Sequence, residues 1–448
     1  MTATRVTIWA AAALATIGTS GCGGGSGSEG ESLASTSLAS TLLEPIPIEP
    51  AEGQPPPGFE WAPATVFRTG QTISYAPRDD GDLQKGMPLM DLRFVSHDDG
   101  TVTDRQTALV WTLDANPLVT PSRWEAALQR VAQLNAESGH LGHSDWRLPN
   151  ANELESLVDY GQSDPALPSD HPFVSVVAGV PGDDPSRCYW TSTPAPGRLG
   201  NGGPAAMAHS FSSGAAVARA QATRLFVWLA RTRTETKYDP KKGETVIIVH
   251  RVLLPRTGWA ESVAPGDDGD QAVGTPWPEE RFEVLEDGTV RDTLTGLTWT
   301  RSADPFGQQS WHDALSWIEH INATGEHGGH SDWRLPNARE LRSLLDHSRA
   351  EAPQTAEGPF FGVRPESYWT STSVDSRPRG AWSVSFGLES NPWQSAEKPR
   401  RLNVWPVRGE GFVPVEDSGD GGTLPTLPQE PVEDPGSGGT LPTLPEVP

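Results

Sequence analysis

Apolar residues recur at helical spacing in two stretches that resemble each other. Trp124, Ala127, Leu128, Val131 and Leu134 fall on one face, and so do Trp311, Ala314, Leu315, Ile318 and Ile321. This i, i+3, i+4, i+7 pattern predicts one amphipathic helix in each stretch. Ser122 with Glu125, and Ser310 with Asp313, stand where an N-cap and its N3 carboxylate belong. A shorter stripe follows each helix: Leu154, Leu157 and Val158, then Leu341, Leu344 and Leu345. The hexapeptide Asp-Trp-Arg-Leu-Pro-Asn precedes both stripes, at residues 145–150 and 332–337. Pro149 holds Leu148 extended. Asn150 then caps the short helix, and Glu153 reaches back to the cap amide. Arg147 and Arg334 are expected to pair with carboxylates. Elsewhere the spacing is short or of period two. Leu109, Val110 and Trp111, the Tyr-Trp-Thr-Ser-Thr block, the alternation Trp382, Val384, Phe386 and residues 401–407 predict strands. Residues 246–254 also read as strand-like.

The matched patterns belong to one long repeat. Arg68-Thr69-Gly70, Asp79-Asp80-Gly81-Asp82 and Asp99-Gly100-Thr101-Val102 all return 188 residues later. The offset falls to 187 at the hexapeptide, to 179 at Tyr189-Trp190-Thr191-Ser192-Thr193, and to 177 at Arg224. Drift confined to gaps between fixed blocks marks two duplicated globular domains, since a solenoid uses shorter units in larger number. Two helices and several short antiparallel strands per unit predict an α+β class. The expected organisation is a signal segment over 1–21 and a Gly/Ser/Pro-rich stalk over 22–58. A first domain over 59–233, a linker over 234–243 and a second domain over 244–410 follow. A disordered Pro/Gly-rich tail over 411–448 ends the chain.

Charge narrows the partners. The 448 residues hold 58 acidic and 34 basic side chains, a net charge of -24. Nucleic acid, which needs a basic face, is excluded. Polyanionic ligands are disfavoured unless a local basic patch exists. Arg5 precedes an apolar run over 6–17 that is too short for a permanent span, and small residues lead to Cys22. This start resembles a bacterial lipoprotein signal. The resemblance implies export, lipidation of Cys22 as the mature N-terminus and contact with a membrane through that lipid. Gly23 after the cysteine favours the outer membrane of the cell envelope. Cys188 is then alone, its counterpart being Ser367, so neither a disulfide framework nor a cysteine zinc site is expected.

Residues 69–82, Asp-Gly-Thr-Val-Thr-Asp at 99–104, the hexapeptide and Tyr-Trp-Thr-Ser-Thr together resemble the Lcl C-terminal domain family. That family is named for the C-terminal domain of the Legionella collagen-like adhesin. The resemblance covers both units. It implies two tandem C-type-lectin-like domains with a role in adhesion and glycan binding; the adhesin's collagen-like region is absent. The Arg-Leu-Pro-x-x-x-Glu-Leu piece also resembles a segment of formylglycine-generating enzymes, which share that fold. Their chemistry relies on a cysteine pair that these units lack, and no Gly-x-Ser-x-Gly elbow is present. No catalytic residue is therefore assigned.

Two sets of residues are candidates for chemistry. Asp79, Asp80 and Asp82, with Asp267, Asp268 and Asp270, offer carboxylates on glycine-bearing turns suited to Ca2+, the alternative being plain acidic turns. Residues 194–223 and 373–400 differ between the units and are expected to carry recognition loops. The second loop presents Asn391, Trp393 and Gln394; the first presents Asn201 and His209. The expected function is a non-catalytic envelope lipoprotein that binds an extracellular ligand, a glycan first. A protein-interaction or structural module is the competing class, and an enzyme ranks third.

Overall fold

The computed structural model describes residues 59–61, 63–178, 186–198, 203–239, 244–250, 252–349, 358–387, 393–410 and 412–414. They form small antiparallel sheets with few helices, in two tandem units. In the first unit Phe94–Ser96, Thr101–Asp104, Leu109–Thr112 and Ala230–Thr232 make a four-stranded sheet in that order. Tyr189–Arg198, Pro204–His209 and Ala216–Ala220 make a three-stranded one. The second unit repeats both. Phe282–Val284, Val290–Asp292, Thr298–Trp299 and Val407–Arg408 form one sheet, and Ser367–Val374, Arg377–Ser385 and Trp393–Glu397 the other.

The long helices run over Trp124–Glu137 and Trp311–Thr324 and bury the predicted stripes. Ser310 caps the second of them through the Asp313 amide. Ser122 does not cap the first. Arg123 occupies the N-cap position without a side-chain bond; Ser122 stands one residue before it, its hydroxyl donating to the Thr120 carbonyl and accepting from Arg130 Nη1. The short helices Ala151–Ser156 and Ala338–Arg342 carry full capping boxes, Asn150 with Glu153 and Asn337 with Glu340. Both arginines of the hexapeptides pair bidentately with those glutamates, Arg147 with Glu153 at 2.6 Å on each arm and Arg334 with Glu340 at 2.5 and 2.7 Å. The repeated tryptophans are core. Several of their indoles tie two elements, as Trp124 Nε1 donating to the Thr191 carbonyl and Trp311 Nε1 to that of Thr370, both at 2.8 Å.

Three boundaries differ from expectation. Within 401–406 only Leu402 and Asn403 form isolated bridges, and Val407–Arg408 alone joins the sheet. The stretch expected as a linker begins as the strand Thr234–Asp239, which pairs with Glu244–Val249. Phe59–Trp61 pairs with Phe412–Pro414, beyond the expected end of the second domain. The expected signal segment, lipidation site and tail lie outside the described residues, apart from 412–414.

The two units share their packing. A single apolar cluster runs through Phe67 and Tyr160 of the first and Leu254, Trp382 and Trp393 of the second. Polar contacts across the seam are reciprocal. Asp80 is buried in a one-turn helix and accepts from Thr69 Oγ1 of its own unit and from Thr372 Oγ1 of the other, each at 2.6 Å. Asp268 accepts likewise from Thr257 at 2.6 Å and from Thr193 of the first unit at 2.7 Å. Those two threonines also accept the first amide of the capping helices, Ala338 onto Thr372 and Ala151 onto Thr193, both at 2.9 Å. The Asn337 amide reaches the Lys85 carbonyl at 3.0 Å, and that of Asn150 reaches Val273 at 3.4 Å.

The acidic turns are thus clasps rather than open ligand sets. Asp79 and Asp267 cap the one-turn helices and accept further backbone amides upstream, from Tyr75 and Ala76 and from Val263 and Ala264. Asp82 and Asp270 accept from the Arg78 and Gly266 amides. Gly81 and Gly269 are needed because a Cβ there would lie 2.1 and 2.2 Å from the carbonyl oxygens of Ile73 and Glu261. Among the described residues no group of three or more His, Cys, Asp or Glu could hold a metal ion. Each of the six aspartates expected for Ca2+ has at least one oxygen on an amide or hydroxyl instead.

Two outcomes follow from this seam. A core that crosses between the units predicts one cooperative calorimetric transition, with equal calorimetric and van't Hoff enthalpies. Thr372→Val should lower stability by about 1–3 kcal/mol, since Asp80 loses a buried donor and Ala338 an acceptor; two separate transitions would contradict the shared core. The second outcome concerns pH. Burial raises the carboxyls of Asp80 to about 7 and of Asp268 to about 6, against the lowering pull of their threonine partners. A carboxyl with a raised folded value binds protons more tightly in the native state. Its contribution is complete below the unfolded value near 4 and is lost as pH climbs through 6 to 7. Between pH 5 and 8 the melting temperature of the native chain should therefore fall relative to that of Asp80→Asn; parallel profiles would refute the linkage.

Candidate functional site

The expected ligand residues do not assemble into one surface. Trp393 is 1% exposed. Its ring stacks on Trp382 at 4.9 Å and meets the edge of Tyr160, from the other unit, at 5.6 Å. It is a seam residue and offers no platform to a ligand. His209 is also buried, on the strand Pro204–His209. Burial, with the Arg342 cation nearby, pushes its imidazole down to about 3, so it stays neutral. Neither residue can meet an external ligand, which corrects the expectation for both. Asn391 and Asn201 lie outside the described residues, as does Cys22. Gln394 alone of the set is described and half-exposed, and it lines a groove.

That groove, of about 420 Å³, is walled by Gln308, Glu366, Ser367, Ser385, Gln394 and Arg400 among others. It runs between the entry to the long helix and the recognition loop of the second unit. Glu366 is exposed, and two amides fix its carboxylate. Gln308 Nε2 donates to Oε2 at 2.8 Å and Asn403 Nδ2 donates to the same oxygen at 3.1 Å. These bonds hold the carboxyl below its usual range. Oε1 accepts from no described side chain and is left for an external donor. The Arg401 guanidinium braces the wall by donating to the Gln308 carbonyl at 2.8 and 3.1 Å. The first unit cannot build this arrangement. Its equivalents of Gln308, Glu366 and Asn403 are Pro121, Arg187 and Phe226. Lining the repeats up column by column makes this divergence visible; loop composition alone, with its pull toward Trp393, does not.

The first unit has a groove of its own, of about 380 Å³, on the face of its four-stranded sheet. His97, Asp99, Arg105, His143, Arg231 and Arg233 line it. The acidic balance of the whole chain does not extend here. Arg231 is held by Asp145 at 2.6 Å and Thr234 at 3.0 Å. Asp99 is turned onto Thr101, whose hydroxyl draws its pKa down. The counterparts of His97, Arg105 and Arg233 in the second unit are Leu285, Thr293 and Glu410. His330, the counterpart of His143, is tied to Asp287 at 2.7 Å. Cys188 is buried and forms no disulfide among the described residues. Among the described residues no helix is long and apolar enough to cross a membrane.

The sequence model of the Lcl C-terminal domain matches residues 100–231 and 288–408, together more than half of the chain. Both matches begin after the acidic clasps and end at the strand that closes each four-stranded sheet. No curated protein matches the chain. With the motifs ordered alike in both units and each unit matched over its sheets and helices, the chain belongs to the Lcl C-terminal domain family and carries its domain twice.

Proposed function

We propose that this chain is a non-catalytic binding protein of the bacterial cell envelope and that the groove of the second unit takes a glycan. The observation that carries the reading is Glu366, an exposed carboxylate fixed by two amides with one oxygen left open. A sugar hydroxyl donates to such an oxygen, while Gln394 and Arg400 supply donors for neighbouring ring oxygens and hydroxyls. The volume suits a ligand of one or two sugar rings. A polar lining favours a polyhydroxy compound over an apolar one. On this reading the two units are C-type-lectin-like domains that have diverged in role, and no calcium is needed at the groove.

The basic groove of the first unit supports a second reading. Arg105, Arg231 and Arg233 with two histidines suit an anionic glycan despite the overall charge. The two readings separate by ligand class and by variant. Anchoring through a lipid on Cys22, after removal of residues 1–21, would present both grooves from the outer membrane.

On a glycan array the full chain should bind in the presence of EDTA. Glu366→Gln should weaken binding to neutral glycans by about 10-fold or more, the scale of a lost charged hydrogen bond, and leave melting unchanged. Arg105→Ala with Arg233→Ala should affect only acidic glycans. An array without signal, together with capture of a defined protein partner, would favour the interaction-module class. Mass spectrometry of the mature protein should find an acylated Cys22 as its first residue; an unmodified Cys22 would remove the anchor.

A further inference from the structure

The reciprocal seam leaves one charge without a partner. Positions 152 and 155 of the first capping helix correspond to 339 and 342 of the second. Arg339 meets Glu155 across the seam, Nε to Oε1 at 3.2 Å, and its other nitrogens donate to the carbonyls of Arg68 and Val158 at 2.5 and 2.6 Å. The reciprocal pair is Asn152 with Arg342, and here no carboxylate stands opposite the arginine. Asn152 donates one amide hydrogen to the Pro255 carbonyl at 3.0 Å and has a second to give. Arg342 is 7% exposed. Its guanidinium covers the Trp393 ring at 5.1 Å, and Nη1 is buried without a hydrogen-bond partner among the described residues. A cavity of about 40 Å³ opens at this point, walled by Asn152, Glu155, Arg339, Arg342, Phe67 and Leu254 among others.

The surrounding groups do not balance the charge. Burial would raise the Glu155 carboxyl, but Arg339 and Arg342 together draw it down, so it is ionised and shared between two cations. His209 and His347 are neutral, burial and the Arg342 cation holding each at about 3. Tyr160, which donates to Glu155 at 2.8 Å, keeps its proton. Asp159 lies within electrostatic reach of Arg339, whereas Arg342 makes no direct ion pair among the described residues, a state that is disfavoured for a buried cation unless a counter-charge is supplied. A water molecule fits the space but supplies no charge.

We propose that the seam cavity binds one small monovalent anion of the halide class, held by Arg342 Nη1 and the free amide hydrogen of Asn152. The space holds about one to three water-sized bodies, which admits chloride or bromide and excludes large oxyanions. The anion stands where a carboxylate at position 152 would complete the reciprocal ion pair. Its binding links the docking of the two units to halide concentration. This site is separate from either groove and does not depend on the glycan reading.

The full chain is melted in sodium chloride, sodium bromide and sodium gluconate at matched ionic strength. The expected result is a saturable rise in melting temperature with either halide and none with gluconate. Asn152→Asp, which supplies the carboxylate, should melt higher than the native chain in gluconate and lose the halide response. Arg342→Gln should also lose it, and if that variant does not fold, Asn152→Asp decides alone. Crystals grown in bromide should show anomalous density within hydrogen-bond distance of Arg342. Identical melting in all three salts, or water alone in the cavity of bromide crystals, overturns the proposal.

Discussion

Two threonine hydroxyls carry the arrangement of this molecule. Thr193 and Thr372 sit on the first, outer strands of the three-stranded sheets, and each does two things at once. Each accepts the first amide of a capping helix in its own unit and donates to a buried aspartate of the other. A hydroxyl is suited to this because it accepts and donates together. The helix start, the strand and the arm of the neighbouring unit therefore meet at one oxygen. The Arg–Glu pairs beneath fix the same helix starts from the other side. Position of the helices then sets the walls of the seam cavity, and the strands that carry the threonines lead into the segments that differ between the units.

Much of each unit was legible because the partners are close in sequence. Asn150 and Glu153 are three residues apart and Arg147 is six from Glu153, so capping and pairing follow from local chemistry. The long helices showed in their periodicity. Ser122 stands one residue before the cap position, with its hydroxyl taken by Thr120 and Arg130. The acidic turns look like exposed cation sites when read alone. The roles of Asp80 and Asp268 depend on threonines of the other unit, Thr372 being 292 residues from Asp80. Trp393 looks like a sugar platform until Tyr160 of the other unit closes over it. The partners of Asp80, Asp268 and Trp393 lie across a long separation, which neither propensity nor periodicity encodes.

The two copies have kept their frame and changed their faces. Buried pairs such as Arg93 with Asp104 and Arg281 with Asp292 are retained with nearly the same geometry. The open grooves are not. Glu366 replaces Arg187 at one site, and Arg233 is replaced by Glu410 at the other. A frame over-determined by packing tolerates such exchange at the rim, since rim residues contribute little to stability. One copy then presents cations and the other a fixed carboxylate.

The crossing of the arms has a further consequence for how such a molecule exists in dilute surroundings. A unit standing alone would leave the threonine hydroxyl and the aspartate to water and expose an apolar seam that only a second molecule would bury. Covalent succession of the two copies replaces that encounter with an effective local concentration on the order of millimolar or more. The tandem is in this sense a two-fold dimer that dilution cannot part. Because its halves no longer need to be identical, each is free to face a different ligand.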